Sequence, residues 1–217
     1  MCGRFTLTVA DVAELARELS AELDRLRAGD YRPRYNVAPT DGHWVVRRVD
    51  GGRRLSPARF GFTVPGRAPL INARAETAER LATFRRPFRE GRCLVPADGF
   101  YEWTGPAGAR RPLWFHPSGG GLLLLAGLWR EEKGELAFVI LTTPAGPDVA
   151  RIHDRMPAVL SADAAEAWLE RPDAALLAPA PEGWLRSRHV SPRVNAVAND
   201  DPGLLDPVPA PGQGRLL

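Results

Sequence analysis

Four stretches of this 217-residue chain carry side chains whose types and spacing could do chemistry. The first is Cys2. With Met1 removed it becomes N-terminal, with an amine and a thiol on adjacent carbons. Reference pKa values of roughly 7.7–8.0 and 8.5 leave reactive forms of both near neutral pH. Such an aminothiol forms an imine with an aldehyde, and the thiol then closes onto it as a five-membered thiazolidine. The alternative is an incidental cysteine behind a retained methionine. The second stretch, Asn72-Ala73-Arg74-Ala75-Glu76-Thr77, offers an amide with paired donor and acceptor and an arginine suited to phosphate. Taken alone, it reads better as an ordinary helix start capped by Asn72. In the third, Cys93 to Trp103, strand alternation puts Tyr101 and Trp103 on one face and Phe100 and Glu102 on the other. A carboxylate among aromatic neighbours has a raised pKa and suits proton transfer, unless it simply faces solvent. The fourth is Ile152-His153-Asp154-Arg155-Met156-Pro157, where His153 could shuttle protons and Arg155 hold a phosphate. A surface histidine paired with Asp154 is the alternative. The four histidines and two cysteines show no metal-ligand spacing, so no zinc site is expected.

Short elements must position these groups, because 21 glycines and 21 prolines exceed the usual share. Val12, Leu15, Leu19, Leu23 and Leu26 recur at helical spacing, which predicts a helix over Thr8–Leu26. Thr8 and Asp11 resemble a capping box, and Gly29 follows as a stop. Strands are predicted at Trp44–Val49 and Leu55–Phe62 around the turn Asp50-Gly51-Gly52, then at Cys93–Val95 and Phe100–Trp103. Three more follow at Leu113–His116, Leu122–Trp129 and Leu136–Thr142. Helices are predicted at Ala75–Phe84, stopped by Pro87, and at Ala162–Leu169, capped by Ser161. From Asp200 the chain reads as a loose tail. Neighbouring strands with few helices indicate an α+β fold around a mostly antiparallel, barrel-like sheet. There is no βαβ rhythm, no GxGxxG and no GxxxxGK[ST], so a nucleotide cofactor has no support.

Charge narrows the partner. Residues 1–110 hold 19 basic and 13 acidic groups, whereas residues 111–217 hold 10 and 13. Lys133 is the sole lysine, so nearly all the positive charge is arginine, whose planar fork binds phosphate bidentately. That asymmetry points to a polyanion. The longest apolar run, near Gly121–Trp129, is too short to span a bilayer, and no secretory signal opens the chain. Two cysteines make no disulfide framework, so a cytoplasmic setting is expected.

Taken in order, Met1-Cys2-Gly3-Arg4-Phe5, Arg34-Tyr35-Asn36-Val37-Ala38-Pro39, Ile71 to Thr77, Asp98-Gly99-Phe100-Tyr101-Glu102-Trp103 and Ile152 to Pro157 resemble the SRAP (SOS response-associated peptidase) family of abasic-site processing proteins. The likeness spans about residues 2–199, including His189-Val190-Ser191. It implies one SRAP domain over 1–199, with 200–217 as the tail. It also implies covalent crosslinking to abasic sites in single-stranded DNA, by a monomer with no cofactor and no membrane. By the same resemblance, Cys2 would be the nucleophile. Asn72 would hold Cys2 and the opened sugar, Glu102 would serve as acid/base, and His153 would assist ring opening. Arg4, Arg74, Arg155 and Pro39 would contact the DNA. The family is also described as peptidase, hydrolase and lyase. One departure stands out: Phe60-Gly61-Phe62-Thr63-Val64-Pro65-Gly66-Arg67 lacks the tryptophans the family carries there, which affects the apolar wedge for DNA bases. Two other classes fit the residues: an N-terminal-nucleophile amidohydrolase or self-processing peptidase using Cys2, and a noncovalent single-strand DNA-binding module using arginines and aromatics.

Overall fold

Two tight turns set the core of the fold. Asp50 and Gly51 take φ of 50° and 80°, and Lys133 and Gly134 take 53° and 84°. Positive φ at both central residues is the hairpin turn whose twist suits flanking strands. Gly42–Val49 therefore pairs with Gly52–Phe60 over its whole length, and Leu123–Glu132 pairs with Glu135–Pro144.

The computed structural model describes residues 2–24, 31–106 and 108–209. Among these, β1 (Phe5–Leu7), α1 (Val12–Glu18), β2 (Glu22–Leu23), β3 (Arg34–Val37), β4 (Gly42–Val49), β5 (Gly52–Phe60) and β6 (Asn72–Arg74) come first. Then follow α2 (Ala75–Ala78), α3 (Ala82–Glu90), β7 (Arg92–Ala97), β8 (Gly99–Thr104), β9 (Arg111–Pro117), β10 (Leu123–Glu132) and β11 (Glu135–Pro144). The remainder is α4 (Pro147–Ala150), β12 (Arg155–Pro157), β13 (Val159–Leu160), α5 (Ala162–Glu170) and β14 (Leu185–His189), with short 3-10 turns between and after.

Strands β11, β10, β7, β4 and β5 lie side by side, and a parallel pairing of β5 with β11 (Phe60 beside Phe138) closes them into a barrel. A second sheet runs β14-β9-β8-β1-β3. The fold is thus α+β, mostly antiparallel and barrel-like, as the patterning predicts. Alternation sorts the barrel residues into two clusters. Val46, Leu94, Val139 and Leu141 face Leu15, Phe84, Phe88 and Trp168 on the helices outside. Val45, Cys93, Val95, Leu125, Phe138 and Ile140 point the other way, inward, and join Cys2, Phe5, Phe100 and Phe115 of the second sheet. Gly127 is required inside: a Cβ there would lie 2.8 Å from the Cys93 sulfur and 2.9 Å from Val95.

Several expected boundaries shift. Helix α1 ends at Glu18, because Ser20 takes φ 48° and the backbone turns into β2; residues 25–30, including Gly29, lie outside the described residues. Asp11 alone caps that helix, accepting from Ala13 and Glu14 N–H at 2.7 and 3.0 Å. Thr8 instead bonds to Asp98. The helix expected over Ala75–Phe84 is two helices, broken at Leu81, and Pro87 sits inside α3 rather than stopping it. Its ring is buried beside Phe84 and Phe88, which offsets the backbone bond it cannot donate. Arg92 caps the ends of α3 and α5, donating to Phe88 O (3.1 Å) and Trp168 O (2.8 Å). Ser161 caps α5 as expected, accepting from Ala164 N–H. The tail is corrected for residues 200–209. Asp200 accepts from Arg34 Nε at 2.5 Å and from the Tyr35 and Asn36 N–H groups, and Leu204 is fully buried. A carboxylate with three charged or backbone donors anchors the chain, so the segment is docked.

Candidate functional site

The first residues are zipped onto β8. Phe5 stands opposite Phe100, and Tyr101 N–H donates to Arg4 O at 2.9 Å. That register carries Glu102 alongside the start of the chain. Phe100 packs in the same apolar cluster as Cys2, while Tyr101 and Trp103 pack in another with Val190 and Val194, so the two faces divide as alternation predicts. Glu102 is only 4% exposed, which removes the solvent-facing alternative. Cys2 is fully buried. Burial, and next the nearby charge of Glu102, push its thiol well above the usual range, with a backbone hydrogen bond at Arg4 opposing them weakly. The reference thiol value therefore does not apply: in this pocket the sulfur is held neutral. Cys93, inside the barrel, is pushed up by burial in the same way.

Asn72 opens β6, which lies parallel to β11 with Asn72 beside Ile140 and Arg74 beside Thr142. Its Nδ2 donates to the Cys2 carbonyl at 3.0 Å. Its Oδ1 is buried and, among the described residues, accepts no hydrogen bond. Helix α2 starts later, with Arg74 at its cap position and no side-chain cap bond, so Asn72 is not a helix cap. Arg74 itself is exposed at the strand end. Thus Asn72 and Glu102 come from different sheets and meet at Cys2.

His153 lies in the loop between α4 and β12. Arg155 N–H donates to its Nδ1 at 2.9 Å, and Asp154 Oδ1 lies 2.9 Å from the same nitrogen. One nitrogen cannot serve both. A neutral ring accepting from the backbone carries its proton on Nε2, and a proton on Nδ1 would turn to Asp154 instead. Asp154 is 86% exposed, so that ion pair is screened and weak, and the backbone bond dominates. The two terminal nitrogens of Arg155 are engaged, in a bidentate pair with Glu76 and in a bond to Thr142 O at 2.5 Å, while its buried Nε has no hydrogen-bond partner among the described residues. Arg155 in turn holds Glu76 below the usual carboxylate range.

Arg4 Nη1 donates to Asn36 Oδ1 (2.8 Å) and Val194 O (2.9 Å), and the guanidinium lies 6.0 Å over the Trp103 ring. Arg4 and Trp103 border an open cleft of about 390 Å³ with Gly108, Arg110 and Asn195. Among the described residues no group of three or more His, Cys, Asp or Glu could hold a metal ion.

The SOS response associated peptidase (SRAP) family model matches residues 1–197. The chain belongs to the SRAP family. It is 34% identical over 95% of its length to the abasic site processing protein YoaM of Bacillus subtilis, covering 98% of that protein. It is 32% identical to the abasic site processing protein HMCES of Gallus gallus, over 96% of this chain and 78% of that one. A crystal structure from Bacteroides thetaiotaomicron superimposes with a TM-score of 0.77 at 20% identity, over 95% of this chain and all of the other, which shows a shared fold.

Within this SRAP domain Pro39 is half-buried in the turn between β3 and β4, where Asp41 Oδ2 accepts from Ala38 N–H at 3.1 Å. Phe60 and Phe62, in the stretch without tryptophan, are both fully buried and form no exposed wedge. Two residues were missed as functional supports. Asn36 is fully buried and donates to Val194 O, Ala196 O and Asn199 O while accepting from Arg4. Asp200 fixes the strand that carries Asn36. Asn36 lies within the Arg34–Pro39 motif, but nothing local in that motif reveals partners some 160 residues away.

Proposed function

We propose that this SRAP domain processes abasic sites in single-stranded DNA by joining itself covalently to them through Cys2 after Met1 is removed. The observation that carries the reading is the Asn72–Cys2 contact at 3.0 Å, with buried Glu102 near enough for its charge to raise the Cys2 thiol pKa. The relatives named abasic site processing proteins support the substrate class. The free amine adds to the aldehyde of the opened sugar, giving a carbinolamine. Glu102, a carboxylate at rest, takes a proton from the amine nitrogen and returns it to the hydroxyl, which leaves as water, forming the imine. The thiol then adds across C=N: sulfur bonds to carbon, its proton passes by way of Glu102, and nitrogen ends protonated as the thiazolidine N–H. One water is lost overall. A neutral, buried thiol needs such a base. The free Oδ1 of Asn72 suits an N–H of the Cys2 amine, and His153, with its proton on Nε2, can donate to the sugar oxygen during ring opening. Arg155, tied to Glu76, orients that imidazole. Arg4 and Arg74 grip flanking phosphates, and Pro39 supplies apolar surface from its turn.

The test is incubation with a single-stranded oligonucleotide bearing one abasic site, followed by a denaturing gel. A shifted band is expected, absent for Cys2→Ala. No band, or a band that survives Cys2→Ala, would reject the reading, and cleavage of an amide substrate instead would favour the peptidase.

A further inference from the structure

Loop 63–69, the α2–α3 turn and the outer face of α3 carry more cations than carboxylates among the described residues. Helix α3 buries Phe84, Pro87 and Phe88 and leaves Arg85, Arg86 and Arg89 exposed. Arg86 pairs with Glu90 at 2.8 Å, but among the described residues Arg85 and Arg89 have no carboxylate partner. Among the described residues Arg80, exposed on the turn, donates to the Glu76 carbonyl, and Arg74 at the head of α2 is exposed and forms no salt bridge, although its charge helps lower the Glu76 carboxyl pKa. Exposed Arg67 belongs to the same surface: its loop is closed by the Phe62–Leu70 bridge, and Phe62 packs against Phe84 of α3. Glu76 is paired with Arg155 and shares its charge with Arg74, and Glu79 and Glu90 are the carboxylates of α2, the turn and α3 beside them, so arginines outnumber carboxylates on this face. Self-repulsion on this scale is uphill unless an anion covers it.

We infer that this face is a second DNA-binding surface, which takes the phosphates of the strand several nucleotides away from the abasic site. The inference rests on the reading above, because Arg74 joins the face to the Asn72 strand. The nine-residue helix is about 13 Å long, enough to run beside a few successive phosphates of a strand. Arg85 and Arg89, one helical turn apart on the open face, can each hold one.

The experiment compares wild type with the Arg85→Glu/Arg89→Glu double variant. Noncovalent affinity is read by fluorescence anisotropy, with Cys2→Ala added to both proteins to block crosslinking, on abasic oligonucleotides of about 6 and about 20 nucleotides. Thermal midpoints check that the fold is kept. Wild type should bind the longer strand at least tenfold more tightly. The variant should lose that advantage and leave the short strand unaffected. For the long strand the log–log salt slope should fall by about 1.4, roughly 0.7 for each lost contact. An unchanged long-strand affinity, or equal loss on both lengths, overturns the inference. Crosslinking on the same strands separates the two readings: no adduct with either length rejects the Cys2 chemistry, while the length comparison still decides this surface.

Discussion

Replacing Glu102 by glutamine separates its two effects on Cys2. The carboxylate is buried, and its charge is the second cause, after burial, of the raised Cys2 thiol pKa. Glutamine keeps the shape and removes the charge. The thiol pKa then falls, although burial still holds it above the ordinary value. At fixed pH the thiolate fraction rises, so capture by a small alkylating reagent should quicken, provided the reagent reaches the pocket equally in both proteins. Crosslinking should do the opposite. Losing a positioned acid/base slows a reaction by roughly 10²–10⁴, about 2.7–5.5 kcal/mol on the barrier. Single-turnover crosslinking, alkylation followed by intact mass, and anisotropy for DNA affinity read the three quantities separately. Faster alkylation with slower crosslinking and unchanged DNA affinity is the expected pattern. Crosslinking at the wild-type rate would refute the acid/base role, and slower alkylation would show that Glu102 does not raise the thiol pKa.

Three further outcomes follow from the same geometry. Cys93→Ala should leave the adduct intact and cost about 1–2 kcal/mol of stability, because this thiol only fills the barrel interior; adduct loss on a denaturing gel would contradict that. His153→Ala should slow crosslinking to the closed sugar but matter less for an open-chain aldehyde, and equal impairment in single-turnover assays would remove the ring-opening role. His43 is fully enclosed against Phe5, its Nε2 bonds to Pro96 O at 2.9 Å, and burial pushes its pKa from 6.5 down to about 3. A folded pKa below the unfolded one gives stability that is present above pH 6.5 and lost as pH falls toward 3, by about 1.4 kcal/mol per unit. Urea unfolding at several pH values should show this fall, and it should flatten in His43→Gln.

How much of this was legible depended on how local the determinant was. The hairpin turn at Asp50-Gly51, the Ser161 cap and the opposed faces of Phe100–Glu102 and Tyr101–Trp103 follow from residues within a few positions of one another, and all stand as predicted. The split between α2 and α3 was not legible, because Pro87 is tolerated only where α3 presses it against the barrel. The parallel closure of β5 on β11 leaves no periodic trace, since it joins segments about 78 residues apart (Phe60 and Phe138). The tail was misjudged for a related reason. Proline and glycine after Asp200 describe local backbone habits, whereas docking is decided by one carboxylate meeting Arg34 and two backbone N–H groups. Composition cannot see such a contact.

Burial of the nucleophile also bears on the order of events in the proposed reaction. An exposed thiolate near neutral pH would attack many electrophiles, and the sulfur would add first. In this pocket the sulfur is neutral and enclosed, and the carbonyl of the same residue is held by Asn72. In the proposed order the amine adds first, because a neutral thiol becomes competent only once an imine lies beside it and Glu102 can take its proton. Small aldehydes gain nothing from Arg4 and Arg74, whereas a DNA strand brings its aldehyde in on flanking phosphates. Selectivity for the abasic site then comes from delivery to a guarded sulfur, and it does not require a base to be read.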